Sequence, residues 1–75
     1  MKLSTFTKVL KREGYTPKQI MTLNRFGYEG ALDAHAGMEN SIPDFGVHCA
    51  EIGRDFVIDN LDSLTFDENG NVTWA

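Results

Sequence analysis

The chain has 75 residues, 41% of them hydrophobic, and a formal net charge of −4. This length predicts a single domain that spans residues 1–75, and the hydrophobic content argues against wholesale disorder. A domain this small buries only about 60% of the surface of its unfolded chain, so it has little interior for enclosing a substrate, and we expect a binding protein rather than an enzyme.

A first helix is predicted over roughly residues 5–13. Ser4 or Thr5 is its expected N-cap, and Gly14 is expected to end it in a left-handed conformation. Its apolar positions have helical spacing: Leu3, Phe6, Val9 and Leu10.

The second helix has the clearest start signal in the chain. Thr16 and Gln19 have the spacing of a capping box, in which each side chain bonds the backbone N–H of the other, and Pro17 occupies the first helical position. The helix is predicted to run to about Phe26, where Gly27 would end it. The first two helices are therefore predicted to form a helical hairpin.

A short third helix is predicted between Gly27 and Gly37. Its alanines suit close packing against the hairpin, and Gly37 is expected to end it. Residues 37–44 have the composition of a loop.

The segment 42–62 is ambiguous, because residues 47–60 fit either a helix or strands. A helix that begins near Ile42, with Ser41 as its cap, places four apolar residues on one face: Phe45, Cys49, Ile52 and Phe56. Two interior glycines oppose this helix, since each costs about 1 kcal/mol. In the alternative, Gly53 turns the chain between two strands. We favour the helix, and the pattern does not settle its extent beyond Gly53.

The C-terminal residues predict a β-hairpin. Its strands are residues 64–66 and 71–74, and Asn69-Gly70 between them favours a type I′ turn. Phe66 and Trp74 are expected to add to the core. The exposed outer edge also allows a homodimer by strand pairing. The predicted class is thus α+β: a helical hairpin, a short third helix, a middle segment in which a helix is favoured, and a β-hairpin.

Cysteine content and hydropathy indicate the compartment. Cys49 is the only cysteine, so the chain cannot form an internal disulfide. The N-terminal residues lack the apolar segment of a secretory signal, and the longest apolar run, residues 56–58, is far too short to span a bilayer. We therefore expect a cytoplasmic protein without a membrane partner.

Few residues have the chemistry of a metal or catalytic site. His35, His48 and Cys49 lack the paired spacing of a zinc site, and Cys49 on an apolar helix face is typical of a buried thiol. Residues 67–71 resemble the start of a calcium loop, but their glycine stands at the fourth position rather than the sixth. We expect no catalytic residue, no metal and no cofactor.

Charge is divided unevenly along the chain. Residues 1–27 contain six basic residues and one acidic residue, whereas residues 28–75 contain one basic and ten acidic residues. Such asymmetry indicates a charged partner, or else two halves of one fold that attract each other.

The favoured function uses the acidic half. Four carboxylates fall at i, i+4, i+8 and i+11 on the favoured helix and form what we call the acidic surface: Glu51, Asp55, Asp59 and Asp62. Their spacing of about 6 Å per turn is similar to that of phosphates along one nucleic-acid strand. The surface predicts docking on the basic, nucleic-acid-binding groove of a protein partner, by which a small regulator or inhibitor would block that groove. Small acidic proteins of phages and other mobile elements often act in this way, which suggests a counter-defence or host-takeover role.

The alternative function is a DNA-binding regulator, because the order of elements is that of a winged helix-turn-helix. Its candidate phosphate contacts are the basic residues of the first two helices: Lys8, Lys11, Arg12, Lys18 and Arg25. The predicted third helix and the hairpin carry carboxylates where a DNA reader needs cations. A net acidic protein also forgoes the phosphate attraction that dominates affinity, so direct DNA binding is the less favoured function.

Overall fold

The computed structural model describes residues 1–75 and confirms the α+β class. Its helices are α1 (Leu3–Arg12), α2 (Pro17–Ala34) and α3 (Phe45–Asp59), followed by a 3₁₀ turn over Leu61–Ser63. None of the helices combines the length and hydrophobicity that crossing a bilayer requires.

Helix α1 begins two residues earlier than predicted, at Leu3. Lys2 is its N-cap residue, and neither Ser4 nor Thr5 caps the helix, because both lie inside its first turn. The predicted end is confirmed, since Gly14 follows the helix with a φ of 95°, a conformation that glycine adopts without strain.

The start of α2 confirms the capping box. Thr16 Oγ1 accepts a hydrogen bond from the backbone N–H of Gln19 at 3.2 Å, and Gln19 Oε1 accepts one from the backbone N–H of Thr16 at 2.9 Å. Pro17 stands at the first helical position, where its missing N–H has no helical partner to lose.

We expect Thr16→Ala to lower the free energy of unfolding by about 1 kcal/mol, because the backbone N–H of Gln19 loses its partner. Urea denaturation followed by circular dichroism measures this loss. Thr22→Ala is the matched control: Thr22 lies within the same helix and its hydroxyl donates to the Lys18 carbonyl, so its removal should cost little. Equal losses from the two substitutions would contradict the role of the cap.

The predicted end of the second helix at Gly27 is wrong. Helix α2 continues for two further turns to Ala34, so the predicted third helix is the C-terminal part of α2. A Cβ atom at Gly27 would overlap the backbone carbonyl of Gly53 in α3 and would lie 2.9 Å from Val57 Cγ2. Gly27 therefore serves helix packing rather than helix termination. Gly37 does not end the helix as predicted: α2 ends at Ala34 with His35 as its C-cap, and Gly37, with a φ of 87°, lies in the turn that follows.

The ambiguous middle segment is helical, and the strand alternative is wrong. Helix α3 starts at Phe45 rather than near Ile42, and Ser41 is not its cap. Asp44 precedes the helix with a φ of 51°, in the left-handed region that Asp tolerates better than most residues. This sharp change of direction, which the sequence pattern did not indicate, sets the start of α3.

Helix α3 continues through Gly53 to Asp59, because Gly53 lies where α3 approaches α2 most closely. The tight backbone contact there offsets the weak helix propensity of glycine. Gly27 meets Gly53, and His35 lies against His48 further along, so the two helices are antiparallel.

The core lies between the three helices and the hairpin. Six buried apolar residues form it: Phe6, Leu10, Ile20, Leu23, Val57 and Leu64. Burial of side chains of this size stabilises the fold by about 1.5–3 kcal/mol each. The buried face of α3 carries Cys49, Gly53 and Val57, so it is rotated from the predicted apolar face, and Phe56 is left partly exposed.

The C-terminal hairpin is confirmed, with β1 (Leu64–Phe66) antiparallel to β2 (Val72–Trp74). Leu64 pairs with Trp74, and Phe66 pairs with Val72. Only β1 and β2 make up the sheet.

The predicted type I′ turn is wrong, because Gly70 has a positive φ but Asn69 does not. The N–H of Gly70 donates to the Asp67 carbonyl at 3.0 Å, and the N–H of Asp67 donates to the Asn71 carbonyl at 2.9 Å. This is the pattern of a three-residue loop with a left-handed glycine at its end. The Asp67 carboxylate accepts hydrogen bonds from the backbone N–H groups of Asn69 and Asn71. Formation of this turn is a sufficient explanation for the polar residues 67–71.

Candidate functional site

The acidic surface is carried mainly by α3. Glu51, Asp55 and Asp59 lie on successive turns of that helix, and Asp62 lies in the 3₁₀ turn that follows. Glu51 is half-buried and the other three are exposed. A continuous helix therefore fixes the spacing of three of the four carboxylates at about 6 Å per turn.

Most of these carboxylates are not neutralised within the fold. Asp55 forms an ion pair with the amino group of Met1 at 3.0 Å, and that amino group also donates to the backbone carbonyl of Glu51 at 3.2 Å. The side chains of Glu51, Asp59 and Asp62 form no ion pair. Two ion pairs join the basic half of the chain to the acidic half, Met1 with Asp55 and Arg25 with Glu29.

Arg54, the single cation of residues 28–75, is engaged inside the fold. Its Nε donates to Asn24 Oδ1 at 2.8 Å and its Nη1 donates to the carbonyl oxygen of Met1 at 3.1 Å. These bonds tie α3 to α2 and to the first residue. Arg54 forms no ion pair with a carboxylate of the acidic surface.

The basic residues proposed for DNA contact are all exposed, but they do not share one groove. Lys18 and Arg25 line a cleft between α2 and the hairpin loop, opposite Asp67 and Glu68. The three cations of α1 do not line this cleft. The cleft therefore offers a phosphate both attraction and repulsion.

Arg25 is also partly committed within α2. Its Nε donates to Glu29 Oε1 at 2.7 Å, one turn further along the helix. This hydrogen bond and the charge of Glu29 raise the pKa of Arg25. Both side chains are largely exposed, so the pair contributes little to stability.

The position of α3 argues against a winged helix-turn-helix that binds DNA. In that arrangement the helix before the hairpin enters the DNA groove. Here that helix is α3, and it carries the acidic surface. A phosphate backbone approaching α3 would be repelled.

His35 and His48 lie against each other at the far end of the helix pair. The ring centroids of His35 and His48 are 5.5 Å apart, and His35 Nδ1 lies 2.9 Å from the Ala31 carbonyl oxygen. Cys49 is fully buried. No three His, Cys, Asp or Glu side chains are grouped so that they could hold a metal ion.

A second surface, which sequence analysis missed, is an apolar groove along α2 and α3. We call it the aromatic groove. Small residues of α2 and α3 form its floor, and its large apolar side chains are Phe26, Ile52, Phe56 and Trp74. Three polar residues also line it: Glu29, Asp33 and His35. Trp74 is 55% exposed and Phe56 is 39% exposed, so the predicted core role of Trp74 is wrong.

The three aromatic rings of the groove support one another. Trp74 meets Phe26 and Phe56 edge-on, with centroid distances of 6.4 Å and 5.8 Å. Such pairs contribute about 0.5–1.5 kcal/mol beyond burial, so the rings hold their positions while remaining accessible. Strand β2 supplies Trp74 and the two helices supply its partners.

One sequence signal points to this groove. The small residues of α2 fall at i, i+3, i+4 and i+7, the spacing of a single helix face: Gly27, Gly30, Ala31 and Ala34. The signal is visible only when α2 is taken through Gly27. When Gly27 is taken as the end of a helix, these small residues fall in two different elements and their common spacing is lost.

Neither protein-family models, curated proteins nor solved structures yield a match to this chain. Its function is therefore argued from its surfaces. The acidic surface and the aromatic groove adjoin on α3, because Asp59 follows Phe56 by three residues and lies about 60° from it around the helix axis.

Proposed function

We propose that this protein is a non-enzymatic regulator or inhibitor that acts by occupying a protein partner, with the acidic surface as its docking site. One observation carries the proposal: Glu51, Asp59 and Asp62 form no ion pair within the fold. Two of these carboxylates are held by α3 and the third by the turn that follows it. Their unpaired charge is available to a cationic partner, and it speeds the encounter with one.

The partner that suits this surface best is a protein with a basic, nucleic-acid-binding groove. The carboxylates of Glu51, Asp55 and Asp59 lie on successive turns at intervals close to those of a nucleic-acid strand, although Asp55 is paired with the amino group of Met1. Occupation of the groove would exclude the nucleic acid, and a counter-defence or host-takeover role would fit such blocking. Binding of this kind weakens as salt is added, because dissolved ions screen the attraction between exposed charges. At 0.1 M salt, charges more than about 10 Å apart are largely screened from each other.

The experiment compares capture of partner proteins, from a lysate of the organism that encodes the chain, by the wild-type protein and by E51Q/D59N/D62N. Asp55 is left intact because it holds the amino group of Met1. We expect the triple variant to lose about tenfold in apparent affinity, since three charge contacts of about 0.5 kcal/mol each amount to roughly that factor. The captured proteins should be basic and should bind nucleic acid.

The matched control is E13Q/E39Q/E68Q, which removes the same number of charges from exposed positions elsewhere. It should capture as the wild-type protein does. Equal capture by both triple variants, or an equal loss from both, would reject the acidic surface as the docking site. A salt-sensitive DNA gel shift that K18A/R25A abolishes would support the DNA-binding alternative instead.

A further inference from the structure

We propose that the aromatic groove is a docking site for a cationic, amphipathic helix of another protein. The inference rests on the proposed function, since it takes the occupant to be a segment of a protein partner. It extends that function, because the partner would bind through apolar side chains in the groove as well as through its lysine or arginine residues.

The groove exposes large aromatic side chains. Trp74 and Phe56 present open ring surface, while Phe26 and Ile52 are half-buried behind them. Exposed aromatic groups that are fixed by their neighbours are the usual anchors of protein interfaces, because they bury much area and lose little conformational entropy.

The shape of the groove suits a helix. Two packed helices wall it, and along α2 it runs from Phe26 to Ala34, about 12 Å or roughly two helical turns. A Cβ atom at Gly30 would meet nothing within 4 Å, so the space above this part of α2 is open. An amphipathic helix laid into an apolar groove is a common mode of peptide recognition, and two turns of such a helix fit here.

The charge of the groove decides the chemistry of the occupant. Glu29 and Asp33 line the groove, and no lysine or arginine does. Asp33 has no ion pair, and Glu29 engages Arg25 through one of its two oxygens. On the other wall, Asp59 adjoins Phe56. An occupant with apolar residues on one face and lysine or arginine beside them complements this groove, whereas an acidic occupant is repelled.

Trp74 supplies the readout, because it is the only tryptophan of the chain and it lines the groove. The probe is a synthetic amphipathic helix of leucine and lysine, about 18 residues long so that it is helical, and free of aromatic residues. We expect the peptide to cause a saturable blue shift of Trp74 emission. The same peptide with glutamate in place of lysine should cause none.

Variants at Gly30 test whether the peptide occupies the groove. Gly30→Lys and Gly30→Glu fill the same open space with similar bulk and similar helix propensity, so both should keep the circular dichroism spectrum of the wild type. Because they differ mainly in charge, we expect the lysine peptide to bind Gly30→Glu at least about tenfold more tightly than Gly30→Lys.

Three results would overturn the proposal. Equal shifts from the lysine and glutamate peptides would show apolar adhesion without charge selection, and affinities of both Gly30 variants equal to that of the wild type would place the peptide elsewhere. An emission spectrum that changes on dilution of the protein alone would show that a second copy of the chain covers the groove. The titration does not use lysate capture, so its failure rejects the groove alone, whereas an unchanged capture by E51Q/D59N/D62N rejects the acidic surface alone.

Discussion

Gly27→Ala is expected to lower the free energy of unfolding by about 3 kcal/mol or more. The added Cβ would overlap the Gly53 carbonyl and would lie 2.9 Å from Val57 Cγ2. Backbone atoms cannot move aside as a flexible side chain can, so α2 and α3 would have to separate. A chain of this length has a total stability of about 4–11 kcal/mol, and the loss is therefore a large part of it.

The control for this substitution is Gly30→Ala, three residues along the same helix. Gly30 has helical backbone and open space around it, so an alanine there should raise stability by about 0.5–1 kcal/mol through helix propensity alone. Urea denaturation of both variants measures the difference. If Gly27→Ala were as stable as Gly30→Ala, the close contact of α2 and α3 would be wrong.

The contrast between these two glycines shows where the sequence is sufficient and where it is not. The capping box of Thr16 and Gln19 depends on residues three apart, so it is visible in the sequence and is confirmed by both hydrogen bonds. The role of Gly27 depends on Gly53, which is distant in the chain. The same residue type ends a helix at Gly14, and only the position of a second helix distinguishes the two roles.

In the C-terminal hairpin as well, part of the structure is predictable from the sequence and part is not. The two strands follow from their composition, but the turn follows from the side chain of Asp67, which bonds the backbone N–H groups of Asn69 and Asn71. Those bonds favour a three-residue loop over the type I′ turn that Asn-Gly suggests. The exposure of Trp74 likewise depends on where α2 and α3 leave room for it.

For the candidate sites, helical periodicity predicts where a carboxylate lies but not whether it forms an ion pair. The i, i+4, i+8 spacing places Glu51, Asp55 and Asp59 on successive turns, and the helix confirms that placement. Nothing in the spacing indicates that Asp55 meets the amino group of Met1 or that Arg54 is taken up by other hydrogen bonds. The unpaired charge of the surface is a property of the fold.

Packing and the proposed docking sites are linked through the helix pair. The contact of Gly27 with Gly53 sets how closely α2 and α3 approach, and both glycines line the aromatic groove. A substitution that separates the helices would therefore alter the spacing of Phe26 and Phe56 around Trp74. For this reason, Gly27 variants are suited to tests of stability and Gly30 variants to tests of binding.

Leu10→Ala is expected to lower the free energy of unfolding by about 3 kcal/mol. Leu10 is fully buried in α1, within the cluster that joins this helix to α2, α3 and β1. Truncation removes apolar contacts and leaves a cavity, because the neighbouring side chains come from separate elements and cannot all collapse into it. At about 4–8 °C per kcal/mol for a domain of this size, the melting temperature should fall by roughly 15 °C.

The matched control is Leu3→Ala in the same helix, where the leucine is 50% exposed and its removal leaves no enclosed cavity. That variant should lose less than about 1 kcal/mol, because a half-exposed side chain has already kept part of its surface in water. Equal losses at both positions would mean that α1 does not pack through Leu10. The difference also bears on function, because α1 carries Lys8, Lys11 and Arg12. If α1 detached in Leu10→Ala while lysate capture persisted, the docking surface would lie on the other helices, as the acidic surface and the aromatic groove require.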